Sequence, residues 1–117
     1  MINEDFCSFE VSKLLQEKGF DTITFFGYRP NGATFVGHWE NWENGRGYPK
    51  PTHQMAMKWL REVHKLLIVV NGLLEENKYF YLIEKMTDGQ YWDSDAIYNT
   101  HEEAVEAALK YCLTKIL

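Results

Sequence analysis

Hydrophobic residues recur along the chain with two different spacings, which separate predicted helices from predicted strands. Apolar positions three and four residues apart predict amphipathic helices over residues 8–18, from residue 52 onwards and from residue 100 onwards. Runs rich in β-branched and aromatic residues predict strands over residues 22–28, 33–39, 66–74, 78–86 and 90–99. The predicted order of elements is therefore α-β-β-α-β-β-β-α.

Capping residues support the starts and ends of these helices. Ser8, Thr52 and Thr100 each stand where a side-chain oxygen can accept a hydrogen bond from the first helical turn. Glu103 follows Thr100 by three positions, which completes the sequence pattern of a capping box. Gly19 suits the left-handed backbone conformation that ends many helices.

Two glycine-containing turns predict β-hairpins. Pro30 and the pair Asn31-Gly32 separate the first two strands, and the Asn-Gly pair is typical of a tight turn with positive φ angles. Asp88-Gly89 predicts a two-residue turn between the last two strands. The three strands after residue 52 are therefore expected to form an antiparallel meander.

The element order predicts an α+β fold with two layers, in which helices pack on one face of an antiparallel sheet. A length of 117 residues suits a single domain over residues 1–117. An aromatic content of 15% is incompatible with a disordered tail. The longest apolar run covers residues 66–70, which is too short to cross a membrane. The acidic N-terminus differs from a signal peptide, so a cytoplasmic location is expected.

The sequence contains no recognisable catalytic or metal-binding motif. His53 and His64 are separated by about 16 Å along one predicted helix, too far to share a metal ion. Cys7 and Cys112 are expected to be buried thiols, and Cys112 lies on the apolar face of the third helix. We therefore predict no metal, no cofactor and no catalytic residue, and we expect that the protein is not an enzyme.

Three segments of the chain, at its start, middle and end, have distinctive motifs: FCSFEVSKLLQEKGFD, PTHQMAMKWLREVHKL and YNTHEEAVEAALKYCLTKI. Together they resemble a family of small uncharacterised proteins from gut Bacteroidetes and their phages. The matching residues are Ser8, Glu10, Leu15, Glu17, Gly19, Phe20 and Asp21, then Pro51, Thr52, Gln54, Trp59, Leu60, Arg61 and Glu62, and finally Thr100, Glu102, Glu103 and Ala104. The resemblance implies an intracellular protein that originates from a phage or mobile element. The family has no established activity, so the resemblance implies no functional residue.

The loop over residues 39–48 is the most unusual segment and departs from that family. It combines tryptophans, a tyrosine and an arginine with a glycine-rich backbone. Trp39 ends an alternating strand and is expected in the core. Trp42, Arg46 and Tyr48 are the candidate partner-binding residues, because aromatic and arginine side chains are frequent interface anchors. For Trp42 and Tyr48 the sequence is equally compatible with exposure and with packing over the rim of the core.

Charge is distributed unevenly around a net charge of −5. Residues 46–65 contain five basic residues and one acidic residue, whereas residues 75–106 contain nine acidic residues and two basic residues. Lys58, Arg61 and Lys65 have the spacing of one helix face, with Lys50 nearby. These four residues are candidate nucleic-acid contacts because basic side chains on one face can bind phosphates, and α-β-β-β-α is also the topology of double-stranded RNA-binding domains. The alternative is an ordinary solvated helix face. A pI of about 5.3 disfavours that function.

These observations favour a small, non-enzymatic protein-interaction module that serves a phage or mobile element. Its acidic surface would suit a basic partner protein. Direct nucleic-acid binding through the basic helix face is the alternative, and an enzyme with an unrecognised site is a second alternative. No membrane partner is expected, and a homodimer is compatible with the sequence.

Overall fold

The structure is a computed structural model that describes residues 5–39, 47–73, 75–94 and 96–117, with the backbone alone at residues 37–39. The described residues form three α-helices and six strands. Their bounds are α1 Phe9–Glu17, β1 Thr24–Tyr28, β2 Thr34–Trp39, β3 Tyr48–Pro49, α2 His53–Val63, β4 Leu66–Leu73, β5 Lys78–Lys85, β6 Tyr91–Asp93 and α3 His101–Tyr111, which continues into a π-helical segment, Cys112–Ile116.

The α+β class is confirmed, but the predicted single sheet is wrong. The strands form two antiparallel sheets of three strands each, in the orders β2-β1-β3 and β4-β5-β6. The predicted order also lacks β3, a two-residue strand that contains Pro49. Such a short strand has no detectable periodicity, and proline is tolerated in it because β3 lies at a sheet edge.

The chain divides into two compact units, Met1–Ala56 and Met57–Leu117, with the boundary inside α2. We call them the first unit and the second unit. The prediction of a single domain over residues 1–117 stays a prediction, as does the packing of all helices in one layer.

The first unit packs α1 beside the strand β3. Ser8 Oγ accepts a hydrogen bond of 3.2 Å from the N–H of Val11, which confirms the predicted cap of α1. Gly19 adopts a φ of 95° just after the helix, as predicted. Tyr28 is buried, and its hydroxyl donates a hydrogen bond of 2.6 Å to the Cys7 carbonyl. This bond joins β1 to the segment that precedes α1.

The first hairpin is confirmed, but the backbone conformation of its turn differs from the prediction. Gly32 N–H donates to the Arg29 carbonyl at 2.8 Å, and Arg29 N–H donates to the Ala33 carbonyl at 2.8 Å. Of the two predicted positive-φ residues only Gly32 has one, at 90°. Pro30 favours an ordinary negative-φ turn, which Gly32 then completes in the left-handed conformation.

The second unit contains the predicted antiparallel meander of β4, β5 and β6. The helix α3 packs against β4 and β5. Tyr81 and Ile83 are buried on β5, and the Tyr81 ring lies 6.4 Å from the ring of Tyr111 in α3. Thr100 Oγ1 accepts a hydrogen bond of 3.1 Å from Glu103 N–H, which confirms the predicted cap of α3.

The second hairpin is confirmed, but its turn is wider than the predicted two residues. Lys85 N–H donates to the Gln90 carbonyl at 2.7 Å, so residues 86–89 form a four-residue connection. Gly89 has a φ of 75°, whereas Asp88 has no positive φ. Asp88 instead accepts a hydrogen bond of 3.0 Å from Gln90 N–H. A two-residue turn of the predicted kind needs positive φ at both positions.

The last strand is much shorter than predicted, because its pairing with β5 is interrupted after β6. Ser94 N–H donates to the Tyr81 carbonyl at 3.0 Å, and Ser94 Oγ accepts from Tyr81 N–H at 3.2 Å. Pairing resumes only at the isolated bridge between Tyr79 and Tyr98. The outer chain therefore has two more residues than β5 over this interval, which is the geometry of a bulge.

Candidate interaction surface

The two faces of the β4-β5-β6 sheet differ in what covers them. Side chains alternate between the faces of a strand, so Tyr81 and Ile83 lie on one face and Leu82 and Glu84 on the other. Tyr81 and Ile83 are buried, whereas Glu84 is exposed. An open groove of about 250 Å³ lies on the second face, where it is lined by Leu67, Val69, Leu82, Glu84, Gly89 and Tyr91, and Ile83, whose side chain is buried on the first face, also borders it. We call this surface the groove.

The strand register places the groove residues next to one another. Glu84 is paired with Leu67 of β4 and with Tyr91 of β6, so these three side chains form a row across the sheet. Leu82 is paired with Val69 in the next row. Tyr91 is 68% exposed and Val69 is 39% exposed, whereas Leu67 and Leu82 are half-buried. The groove therefore has an apolar floor and an accessible aromatic wall.

Two carboxylates lie on the groove face beside Tyr91 and Leu82, and the alternation of side chains places one basic residue of β5, Lys78, on the same face. Asp93 is paired with Leu82, so it lies on the same face as Glu84, and both residues are exposed. Neither carboxylate has a hydrogen-bond or ion-pair partner within the described ranges. The two basic residues of β5 are engaged, since Lys85 Nζ lies 3.8 Å from Asp88 and Lys78 Nζ donates to Asn99 Oδ1. The groove thus suits a ligand that is both apolar and cationic.

Of the predicted partner-binding residues, the structure places only Tyr48. Trp42 and Arg46 lie outside the described residues, and the core position predicted for Trp39 stays a prediction. Tyr48 is half-buried in β3, and its ring lies edge-on to Phe9 with a centroid separation of 5.6 Å. Tyr48 therefore contributes to the packing of the first unit.

Lys50, a predicted nucleic-acid contact, is held within the first unit. Its Nζ lies 5.2 Å from the ring centroids of both Phe6 and Tyr28 and donates a hydrogen bond of 3.2 Å to Thr34 Oγ1. Attraction between an ammonium group and aromatic faces is stabilising in this range. A phosphate contact by Lys50 would compete with these three interactions.

The other three predicted nucleic-acid contacts lie in the second unit. Lys58 and Arg61 are exposed and three residues apart on α2. Lys65 follows the end of the helix with a φ of 58°, and its Nζ donates a hydrogen bond of 2.9 Å to the Glu62 carbonyl. The predicted three-residue stripe on one helix face is therefore wrong at Lys65, because the helix ends at Val63.

The two cysteines are buried and not joined by a disulfide, as predicted. Burial raises the pKa of the Cys112 thiol to about 12, so this thiol is neutral at physiological pH and a poor nucleophile. His64 packs edge-on to Trp59 with a ring separation of 4.7 Å. Among the described residues, no group of three or more His, Cys, Asp or Glu side chains is arranged to hold a metal ion.

Comparisons with known proteins leave the resemblance to the Bacteroidetes family as a prediction. The chain matches no protein-family model, no curated protein and no solved structure. In the described ranges, no helix combines the length and the apolar character needed to cross a membrane.

Proposed function

We propose that the protein is a non-enzymatic protein-interaction module that binds its partner through the groove. The observation that supports this function is the exposure of Tyr91 and Val69 beside the half-buried Leu67 and Leu82 on one sheet face. Exposed apolar residues that line a concave surface are typical of binding sites. We further propose, from the sequence resemblance, that the module serves a phage or mobile element in the cytoplasm.

Nucleic-acid binding is the weaker candidate. Nucleic-acid-binding domains need several basic side chains that are available to phosphates. Lys50 is engaged by aromatic rings and Lys65 by a helix carbonyl, which leaves Lys58 and Arg61 as the better candidates for a phosphate contact. The groove itself carries carboxylates, which would repel phosphate.

A pull-down from a gut Bacteroidetes lysate, with and without nuclease, tests this function. The parent protein should retain the same partner protein after nuclease treatment. Tyr91→Ala should lower the retained amount about tenfold, because exposed aromatic residues at an interface carry a large share of the binding energy. The matched control is Val36→Ala in the first unit, a residue that is 81% exposed on β2 and should not affect retention.

Three results would contradict the proposed function. Loss of all retention after nuclease treatment would favour nucleic-acid binding, especially if the Lys58→Gln, Arg61→Gln double variant also lost it. Full retention by Tyr91→Ala would exclude the groove as the binding site. Loss of retention in Val36→Ala alone would place the binding surface in the first unit.

A further inference from the structure

The strand β4 forms an outer edge of its sheet, since its neighbour in the strand order is β5 alone. It has eight residues, LLIVVNGL, with no charged residue and no proline. Proteins usually protect such edges with charges, prolines, bulges or short strands. The opposite edge of the same sheet has these features, because β6 is three residues long, contains Asp93 and is followed by a bulge.

The hydrogen-bond pattern identifies which backbone groups of β4 point outward. Met86 N–H donates to the Lys65 carbonyl at 2.9 Å, and Tyr79 exchanges hydrogen bonds of 2.9 and 2.7 Å with Tyr98 on the other side of β5. Bonding direction alternates along an antiparallel strand. The N–H and C=O groups of Leu66, Ile68, Val70 and Gly72 therefore point away from β5. No described residue outside the sheet forms a backbone hydrogen bond with them.

We propose that the partner of the groove adds an extended segment to β4 as a fourth, antiparallel strand. This inference rests on the proposed function and defines how that function is carried out. Backbone hydrogen bonds to an edge strand supply affinity, and alternate side chains supply specificity. Antiparallel addition continues the pairing already present between β4 and β5.

The residues that flank the outer edge indicate which types of side chain the added segment has at alternate positions. Side chains of the new strand that face α3 would lie beside Ile68 and Val70, which are half-buried and apolar. Side chains on the other face would lie beside Leu67 and Val69 of the groove. A partner segment that follows β4 therefore has apolar residues at alternate positions.

The positions of the added segment whose side chains face the groove are basic. Glu84 lies two strands away from the added segment, a distance of about 10 Å between backbones. A lysine or arginine can cover Leu67 with its alkyl chain and direct its charged group towards Glu84. A second copy of the chain would instead add its own β4, which contains no basic residue, and would leave Glu84 and Asp93 unneutralised. Charge complementarity therefore selects an alternating apolar and basic segment of another protein.

Three synthetic peptides test the strand addition directly. The probe is an acetylated and amidated octapeptide of four Val-Lys repeats, titrated into the ¹⁵N-labelled protein. In an antiparallel fourth strand the valines stand opposite Ile68 and Val70, and their N–H groups point at β4. N-methylation of the valines should therefore abolish binding, whereas N-methylation of the lysines should leave it unchanged within about twofold. The two modified peptides have the same charge and the same number of methyl groups.

Two protein variants provide a second, independent measurement. Gly72→Pro replaces an outward N–H with the proline ring and should weaken binding of the Val-Lys peptide about tenfold, because proline blocks edge pairing. Gly72→Ala retains the N–H, and an added Cβ would lie 3.7 Å from its nearest atom, Tyr79 Cε1, so this control should fold and bind normally. Glu84→Gln should weaken binding about threefold through the lost charge attraction.

The outcomes separate this inference from the proposed function. Equal binding of the valine-methylated peptide, or of Gly72→Pro, would overturn strand addition even if Tyr91→Ala still prevents partner retention. Loss of peptide binding on N-methylation of the lysines alone would overturn the antiparallel arrangement, because in that arrangement the lysine N–H groups point away from β4. A dimer of the parent protein in sedimentation experiments that Gly72→Pro dissociates would show that a second copy occupies the edge. Equal affinity for a Val-Glu octapeptide would overturn the basic partner.

Discussion

The two sheets of this protein have the same number of strands, and both combine packed aromatic rings with an exposed one, since Phe25 of β1 is 73% exposed and Tyr91 of β6 is 68% exposed. In the first unit, Tyr48 and Tyr28 pack against Phe9, with ring separations of 5.6 and 5.5 Å. In the second unit, Tyr91 is exposed at one end of the groove, whereas Tyr81 is buried on the opposite sheet face. A high aromatic content therefore does not identify a binding surface, because position relative to the helix decides which rings are available.

Charged residues of the two units also have different surroundings. Lys50 in the first unit is fixed between aromatic rings, and Lys13 lies 5.1 Å from the Phe9 ring. In the second unit, Glu84 and Asp93 lie on an apolar face without a described partner. Lys13 and Lys50 of the first unit thus interact with aromatic rings, while Glu84 and Asp93 of the second unit form a carboxylate surface that a basic ligand can neutralise.

Replacement of aromatic residues within the second unit tests whether burial distinguishes the packed ring of Trp59 from the exposed ring of Tyr91. Trp59 is 8% exposed, so Trp59→Ala should lower the free energy of unfolding by roughly 3–5 kcal/mol, the range for a buried large aromatic residue. Tyr91→Ala should change it by less than about 0.5 kcal/mol, as expected for an exposed residue. Denaturant titration measures both changes. A comparable loss in the two variants would show that Tyr91 is a packing residue.

Tyr48→Ala tests the assignment of the predicted loop tyrosine to the packing of the first unit. We expect a loss of about 1–2 kcal/mol in unfolding free energy, because half of a large side chain is removed from contact with Phe9. Partner retention by the folded variant should be unchanged. Unchanged stability combined with loss of partner retention would show that Tyr48 belongs to the binding surface.

The buried Cys112 thiol of the second unit has a smaller effect, which makes the free energy of unfolding depend on pH. The pKa of Cys112 is raised from 9.0 to about 12 by burial, so the unfolded chain releases this proton at a lower pH than the folded chain. The part of the unfolding free energy that is linked to the protonated Cys112 thiol is fully present below about pH 9 and is lost as the pH rises towards 12. At pH 10 the expected loss is about 1 kcal/mol. Unfolding of Cys112→Ala should lack this part of the alkaline decline, and an identical decline in both proteins would contradict the assignment.

Local features of the fold were predictable from the sequence because they depend on neighbouring residues. The caps at Ser8, Thr52 and Thr100 each involve a hydrogen bond to a residue three positions away. The meander of β4, β5 and β6 follows from short connections between consecutive strands. The division into two sheets was not predictable in this way, because it depends on which strands pair across the chain.

Much of the candidate site could not be predicted, for a related reason. The continuous apolar run at residues 66–70 is typical of a strand that is buried on both faces. The structure buries Leu66 and leaves Val69 exposed, so one face of that run is available. The sequence places Lys50 on a basic surface, since its partners Phe6, Tyr28 and Thr34 are distant along the chain and leave no local signal. The signal that could have indicated the groove is the absence of any charge along β4.

Hydrogen–deuterium exchange in the presence of the Val-Lys peptide tests the central claim most directly. The outward amides of β4, at Ile68, Val70 and Gly72, should exchange rapidly in the free protein and become protected when the peptide binds, since exchange follows the opening of hydrogen bonds. Amides of β1 and β2 should be unaffected. Protection confined to β2, or no added protection in β4 at a peptide concentration that saturates binding, would contradict the assignment of the interaction surface to the second sheet.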